Sequence, residues 1–331
     1  MENRMDSKLD VLNYKQMDGL RVFLNTLDYR TPHFHKELEI LLILDGDLEF
    51  LSERFHLSAG RGDMVLCNSG EAHELRKRTK SCTILYYHVA PSLLLGEVPE
   101  FEQIRFTEPS LQEGLPPAVT QECRALLLDV ALSYLTQPPY YQLRCVGKMK
   151  EFVYLALANL PHKVLTEDAY QQRGSQKQRL QRLLHFVEEN YMHKIRLSDF
   201  AQQEGMAVSS LSHFFKKLTH QSFQQYVNTV RFHAACNQLA SGQDKLLDVC
   251  YNAGFSDYKY FSATFLQRTG MTPEVYRQRI QESQNDLLDE HPSSKTFFTL
   301  HSVEHFYTPQ ESVRRIRQYQ QEEAGLFAAG K

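Results

Sequence analysis

The sequence predicts an α+β protein of several domains, in which an N-terminal antiparallel β-barrel with flanking helices precedes an all-α domain. Three observations lead to this prediction. Short apolar runs bounded by turn residues occupy residues 30–90, the apolar spacing changes to three and four near residue 117, and one helical pattern occurs twice after residue 177. The expected domains are the barrel at 1–110, a helical hairpin at 111–161, a linker at 162–176, the duplicated domain at 177–280 and an extension at 281–331.

Length and composition set the broad class of protein. The chain has 331 residues, of which 42% are hydrophobic and 23% charged, as in a globular protein of more than one domain. No run of about eighteen apolar residues occurs, so no membrane span is expected. The N-terminal segment lacks the apolar stretch of a secretory signal, and the six cysteines have no metal-type spacing. We therefore expect a cytoplasmic protein with no membrane partner, whose cysteines are buried apolar side chains.

The net charge of −3 is unevenly distributed along the chain. Residues 177–280 contain 13 lysines and arginines against 8 acidic residues, whereas the remainder contains 24 against 32. A cationic block on an acidic chain indicates that one part contacts a polyanion.

The strand region begins with EILLILDGDLEFL, two apolar runs around Asp45 and Gly46. This dipeptide is typical of a tight hairpin turn, so the two runs are expected to form a hairpin. GRGDMVLCN and CTILYYHVA supply further short strands. Several short strands at close spacing are typical of a small barrel or sandwich.

Two amphipathic helices are expected within residues 117–160, separated by the sequence TQPPYY. They either pack on the barrel or form a dimer interface, and the sequence leaves both interpretations open. The polar segment 162–176 is typical of an interdomain linker. The extension 281–331 is polar at first and ends in a pattern that predicts a short helix, and its residues indicate no function.

The duplicated pattern relates LSHFFKKLTHQSFQQY, residues 211–226, to FSATFLQRTGMTPEVY, residues 261–276. Each follows an amphipathic run that ends in glycine, LSDFAQQEG or LLDVCYNAG, so the chain is expected to contain two helix-turn-helix units. Gly205 and Gly254 are expected to adopt left-handed geometry. Ser256 is expected to N-cap the second helix of its unit, with Asp257 in the first turn.

The second helix of each unit has one apolar face, formed by Leu211 with Phe215 and by Phe261 with Phe265. The opposite faces are free for the major groove of DNA. A helix over residues 222–240 would be about 28 Å long, close to the ~34 Å between successive major-groove faces. One chain could therefore read two adjacent turns of DNA.

GFSDYKYFS, followed by TGMTPEVYR, resembles the signature of the AraC/XylS family of bacterial transcription regulators. LSDFAQQEGMAVSSLSHFFKKLT resembles the first helix-turn-helix of that family, although Ala207 replaces its usual serine cap. The resemblance implies a DNA-binding domain with units at about 197–218 and 246–268, controlled by an upstream sensor domain. The base-facing residues that it implies are Ser209, Ser212, His213, Tyr258, Lys259 and Ser262. Contacts with phosphates are expected from Lys216, Lys217 and Arg268, the alternative being solvated surface charges.

A second pattern involves histidines near the N-terminus. PHFHKELEILLILDG and GDMVLCNSGEAH place His33, His35, Glu39 and His73 in a spacing that resembles both halves of the cupin motif. This resemblance implies a barrel whose interior can hold a divalent metal on these four residues, and His33 and His35 alternate onto one strand face as shared ligation requires. The alternative is a polar pocket in which the same side chains bind a small organic effector without a metal. His88 belongs to no such pattern, and only a surface or core position is expected for it.

The predicted function is that of a sequence-specific DNA-binding transcriptional regulator that responds to a small molecule, such as a sugar or related metabolite, in the barrel. The expected partners are double-stranded DNA, the effector, a second copy of the chain and RNA polymerase. No catalytic residues are predicted, because the chain has no glycine-rich phosphate loop and no nucleophile–base pair, and no cofactor is expected apart from a metal in the barrel. The alternatives are a metal-dependent cupin enzyme fused to a DNA-binding domain and an architectural DNA-binding protein.

Overall fold

A β-barrel and a helical domain make up the structure, a computed structural model that describes residues 17–242, 244–290, 295–298 and 302–329. The N-terminal segment, for which no secretory signal is expected, lies outside these ranges. The strands are β1 (Leu20–His33), β2 (Leu38–Asp45), β3 (Leu48–Ser52), β4 (His56–Ala59), β5 (Met64–Cys67), β6 (His73–Lys77), β7 (Thr83–Val89), β8 (Ile104–Phe106), β9 (His162–Val164), β10 (Lys295–Phe298) and β11 (Ser302–Phe306). The helices are α1 (Leu111–Gly114), α2 (Pro117–Thr136), α3 (Tyr141–Asn159), α4 (Glu167–Asn190), α5 (Leu197–Gln203), α6 (Val208–Thr219), α7 (Phe223–Ser241), α8 (Leu246–Asn252), α9 (Tyr258–Thr269), α10 (Pro273–Glu290) and α11 (Pro309–Ala329).

Nine strands form one antiparallel sheet that curls into a nearly closed barrel. The order is β4-β3-β6-β1-β7-β2-β5, with β11 paired to β1 and β10 paired to β11. Strand β1 has 14 residues, enough to pair with β7, β6 and β11 along its length. Large apolar side chains fill the interior, among them Phe23, Phe50 and Tyr86. The barrel and the helical domain confirm the predicted fold class.

The turn at Asp45 and Gly46 corrects the prediction of a hairpin. Gly46 has a φ of +77°, and a Cβ there would lie 1.9 Å from the Ser81 carbonyl oxygen, so the position requires glycine. The flanking strands do not pair with each other, because β2 pairs with β5 and β7 whereas β3 pairs with β4 and β6. The chain crosses from one side of the barrel to the other at this turn.

Helices α2 and α3 pack on the barrel, as one of the two interpretations of their sequence predicted. Leu127 and Val130 of α2 and Phe152 of α3 are buried in the same hydrophobic core as the strands. All six cysteines are buried. Within the described ranges, no helix combines the length and the apolar character needed to cross a membrane.

The segment predicted as a linker has regular structure. Strand β9 pairs with β8, and α4 then begins at Glu167, where the Thr166 hydroxyl accepts a hydrogen bond from the Ala169 amide as an N-cap. Helix α4 has 24 residues and runs on into the helical domain, where Leu180, Leu183 and Leu184 are buried.

The C-terminal extension returns to the barrel, which the sequence did not predict. Strand β11 pairs with β1, placing Asn25 opposite Phe306 and Arg30 opposite Ser302. Helix α11 has 21 residues, so the prediction of a short helix was wrong, and its Ile316 and Tyr319 join the core of the barrel. The helical domain is therefore connected to the barrel at both of its ends.

Candidate functional sites

The first helix-turn-helix unit consists of α5, a turn at Gly205, whose φ is +62°, and α6. Ala207 precedes α6 and makes no side-chain cap, because its methyl group cannot accept a hydrogen bond. Leu211 and Phe215 are fully buried, which confirms the predicted core face. The opposite face is exposed and carries the predicted DNA-contacting residues of this unit, Ser209, Ser212, His213, Lys216 and Lys217.

The second unit consists of α8, a turn at Gly254 and α9. Phe261 and Phe265 are fully buried as predicted, and Lys259 is exposed. Ser262 is half-buried, as is Tyr258, whose hydroxyl donates a hydrogen bond to the Glu274 carboxylate of α10. Burial, together with that carboxylate, raises the pKa of Tyr258 to about 12. Lys259 is therefore an exposed side chain on α9 that is available to reach DNA.

The N-cap of α9 corrects a prediction. Asp257, and not Ser256, is the cap residue, because its carboxylate accepts a hydrogen bond of 2.7 Å from the Tyr260 amide. Asp257 has extended backbone geometry with a φ of −154°, as a cap residue requires. The Ser256 hydroxyl lies outside the helix, 3.4 Å from the Asp257 carboxylate.

A single helix, α7, connects the two units. It has 19 residues and begins with a capping box, in which Ser222 and Gln225 exchange side-chain to backbone hydrogen bonds. At ~1.5 Å per residue, α7 is about 28 Å long, which is the length predicted for a helix between the two units. Arg268 of α9 donates to the Thr229 hydroxyl of this helix at 2.9 Å and lies over the Phe232 ring. A phosphate contact by Arg268 would therefore compete with its contacts on α7.

The barrel contains the second candidate site, a cluster of His33, His35, Glu39 and His73. One ligand atom from each residue lies within 4.8 Å of the others. His33 ends β1 opposite His73 at the start of β6, Glu39 lies on β2, and His35 lies in the loop between β1 and β2. The four residues that the cupin-type spacing groups together are thus neighbours in space.

Each histidine ring of the cluster is oriented by its own backbone. The Nδ1 atoms of His33, His35 and His73 each bond a carbonyl oxygen two residues away, those of Thr31, Glu37 and Glu71, at 2.9, 3.1 and 3.0 Å. A carbonyl can only accept, so Nδ1 must carry the proton, and Nε2 of each neutral ring has a free lone pair.

The free lone pairs converge on one point. Nε2 of all three histidines and Oε2 of Glu39 are buried and make no hydrogen bond within the described part of the chain. His73 Nε2 lies 3.0 Å from Glu39 Oε2, but the pair does not have hydrogen-bond geometry. Buried polar atoms without partners are costly, at about 1–3 kcal/mol each, so this cluster fits a bound cation. Donors about 2.1 Å from one ion lie roughly 3.4 Å apart in a tetrahedral site, which small side-chain movements would achieve here.

The charge state of the cluster is also that of a cation site. Burial lowers the pKa of His33 well below its ordinary value and that of His35 to about 4. Burial opposes ionisation of Glu39, but His73, His35 and His88 outweigh it and hold the pKa of Glu39 well below its usual range. His33 and His35 are therefore neutral and Glu39 is ionised, which are the protonation states in which these groups bind a metal ion.

Two residues beside the cluster were missed by sequence reasoning. His88 is buried on β7 opposite Glu39 of β2, and its Nε2 lies 2.8 Å from Glu39 Oε1. Arg30 lies 4.0 Å from the same carboxylate oxygen and 2.6 Å from Glu304 of the C-terminal extension. The pairing of β7 with β2 brings His88 to the site, so its spacing along the chain carried no signal.

Comparisons with known proteins match both the barrel and the helical domain. The family model described as an AraC-like ligand binding domain matches residues 19–131, and one described as a helix-turn-helix domain matches residues 200–279. The transcriptional regulator ExsA of Pseudomonas aeruginosa is 24% identical over 81% of this chain and 94% of its own length. The virulence regulon transcriptional activator VirF of Yersinia enterocolitica is 26% identical over 76% of this chain and 94% of its own length. The crystal structure of ToxT from Vibrio cholerae O395 aligns with a TM-score of 0.40 at 12% identity, over 80% of this chain and 99% of that one.

The two family models together span more than half of the 331 residues, and this chain belongs to the AraC family of helix-turn-helix transcriptional regulators.

Proposed function

We propose that this regulator reads DNA with α6 and α9 and senses a divalent transition metal ion in its barrel. The DNA part rests on the two exposed helix faces, joined by a connecting helix of 19 residues. In this arrangement Ser209, Ser212, His213 and Lys259 lie on the surfaces that would enter successive major grooves.

The metal part rests on one observation, the convergence of four buried donor atoms that have no hydrogen-bond partners. Three imidazole nitrogens and one carboxylate suit a borderline ion such as Zn²⁺, Fe²⁺ or Ni²⁺. When bound, the ion would accept the Nε2 lone pairs and neutralise the Glu39 carboxylate. Donors that lie within 4.8 Å of one another can share a single ion, so the geometry favours an ion over the sugar-like effector expected from the sequence.

We propose a sensing role for the ion and not a catalytic one. Four protein ligands close a tetrahedral site, whereas catalytic zinc sites keep a position open for water or substrate. The relatives named above are transcriptional regulators, and the alternative of a metal-dependent enzyme has no separate observation in its favour. A cytoplasmic location follows from this role, because the DNA that a bacterial regulator reads is in the cytoplasm.

A homodimer is part of the proposal, with α3 as its contact surface. Tyr140, Leu143 and Tyr154, at or on this helix, are exposed by 84, 77 and 67%, which is unusual for large apolar side chains. Contact with RNA polymerase stays a prediction from the family.

The metal proposal is tested with the full-length chain after chelation and addition of Zn²⁺. Elemental analysis and titration calorimetry are expected to give one ion per chain for the wild type and none for His35→Ala. His56→Ala is the matched control, because His56 is exposed and paired with Glu49 outside the cluster. Equal stoichiometry in the wild type and His35→Ala, or no ion in either, would remove the metal from the function.

A further inference from the structure

The segments that carry the histidine ligands also carry residues that pack into the DNA-binding domain. Phe34 lies between His33 and His35, is 8% exposed, and belongs to the hydrophobic cluster of the first helix-turn-helix unit. Side chains alternate in extended chain, so the histidines point into the barrel and Phe34 points out of it. Ala72, directly before His73, joins the same cluster. The inner face of these two segments is the ion site, and their outer face is the docking surface for the helical domain.

Polar contacts reinforce this docking surface. The Lys177 ammonium of α4 lies 4.9 Å from the centroid of the Phe34 ring. The Gly70 amide donates a hydrogen bond of 2.8 Å to the His35 carbonyl, which ties the segment before His73 to the loop that carries Phe34. Phe34 and Ala72 are therefore held together with the histidine ligands beside them.

The barrel also holds the C-terminal end of α6. Lys217 Nζ lies 3.0 Å from the Glu53 carboxylate, and the His220 imidazole contacts the Ser52 carbonyl. Ser52 is the strand partner of His73 in the β3–β6 pairing. Lys217 is one of the residues predicted to contact DNA phosphates, so the docked arrangement engages it with an acidic residue of the barrel.

We propose that ion binding in the barrel is coupled to docking of the first helix-turn-helix unit, and that Phe34 is the residue through which the coupling acts. This inference rests on the metal site proposed above. An ion that fixes the rings of His33, His35 and His73 also fixes Phe34 and Ala72, and so favours the arrangement in which Lys217 is paired with Glu53. DNA phosphates compete with Glu53 for Lys217. The ion therefore lowers DNA affinity, and DNA lowers ion affinity by the same factor.

The test measures the Kd of the full-length chain for a duplex selected from genomic fragments, after chelation and at saturating Zn²⁺. Zn²⁺ is expected to raise the wild-type Kd roughly tenfold, within the usual range of allosteric coupling. Phe34→Ala is expected to bind Zn²⁺ in calorimetry with less than a twofold effect on DNA. Glu53→Gln, which changes no residue of the cluster, is expected to reduce the Zn²⁺ effect as well. Glu97→Gln is the matched control, because Glu97 pairs with Lys150 of α3 and contacts neither the cluster nor α6, and it is expected to keep the full effect.

The outcomes separate this inference from the proposed function. Stoichiometric Zn²⁺ binding with an unchanged or lowered DNA Kd overturns the coupling and leaves the metal site standing. Full coupling in Phe34→Ala that still binds Zn²⁺ also overturns it, and full coupling in Glu53→Gln overturns the part assigned to the pairing of Lys217 with Glu53. Absence of Zn²⁺ binding by the wild type overturns the metal site and the coupling together, and a Zn²⁺ effect that persists in His35→Ala assigns the effect to another site.

Discussion

Arg30 Nη2 lies 2.6 Å from Glu304 Oε1, so a carboxylate of the last strand neutralises a buried arginine of the first. Glu304 also accepts a hydrogen bond of 2.7 Å from the Asn25 amide. Arg30 in turn approaches Glu39 of the histidine cluster. The C-terminal extension is therefore part of the interior of the barrel, immediately behind the candidate ion site.

The ion pair predicts a large effect of Glu304→Ala on stability. Removal of one partner leaves the buried Arg30 charge without its main counter-charge, which typically costs about 3–5 kcal/mol. Denaturant unfolding of the full chain, followed by a probe of the barrel, measures the change. Glu151→Ala is the control, because Glu151 and Lys148 form an exposed pair whose loss is expected to have no detectable effect. Equal stability of Glu304→Ala and the wild type would exclude a stabilising role for the Arg30–Glu304 pair.

The N-cap of α9 predicts different effects for two adjacent substitutions. Asp257→Ala removes the hydrogen bond to the Tyr260 amide and is expected to destabilise the helical domain by about 1 kcal/mol. Ser256→Ala removes no cap and serves as the control. Thermal unfolding of the two variants compares them directly, and a larger loss in Ser256→Ala would reassign the cap.

Both units are expected to contribute to specific DNA binding. His213→Ala and Lys259→Ala each remove an exposed side chain from a groove-facing helix, and each is expected to weaken binding to a selected duplex by about 1–3 kcal/mol if it reads a base. Lys194→Ala, an exposed lysine outside both second helices, is the control. A loss confined to one unit would mean that only that unit reads sequence.

Salt dependence tests the phosphate contacts. DNA affinity is expected to fall steeply with salt concentration, because contacts by lysine and arginine release counterions. Lys216→Ala is expected to reduce the slope of log affinity against log salt by about 1. A wild-type slope near zero is incompatible with docking on phosphates.

Local patterns predicted the helical domain well. The buried helix faces follow from the spacing of apolar residues, Leu211 with Phe215 and Phe261 with Phe265, and from the glycine turns. These features act within one or two helical turns. The error at α9 was also local, since Ser256 and Asp257 are both good caps and backbone geometry decides between them.

The barrel was less predictable because strand pairing acts over long distances. The period of two in β2 identifies which side chains share a face, but it does not identify β5 and β7 as the partner strands. The same limit concealed His88 beside Glu39 and the return of β11 to β1. The histidine spacing succeeded because His33, His35 and Glu39 are close in sequence, and His73 completes the set through one strand pairing.

Footprinting of the full-length chain on genomic fragments that it selects shows whether both helix-turn-helix units read DNA. Two helix-turn-helix units joined by α7 predict two protected segments on one face of the duplex, with centres about 10–10.5 bp apart. His213→Ala is expected to weaken protection of one segment and Lys259→Ala that of the other. A single protected segment affected equally by both substitutions, or no preference for any fragment over random duplex, would contradict the account.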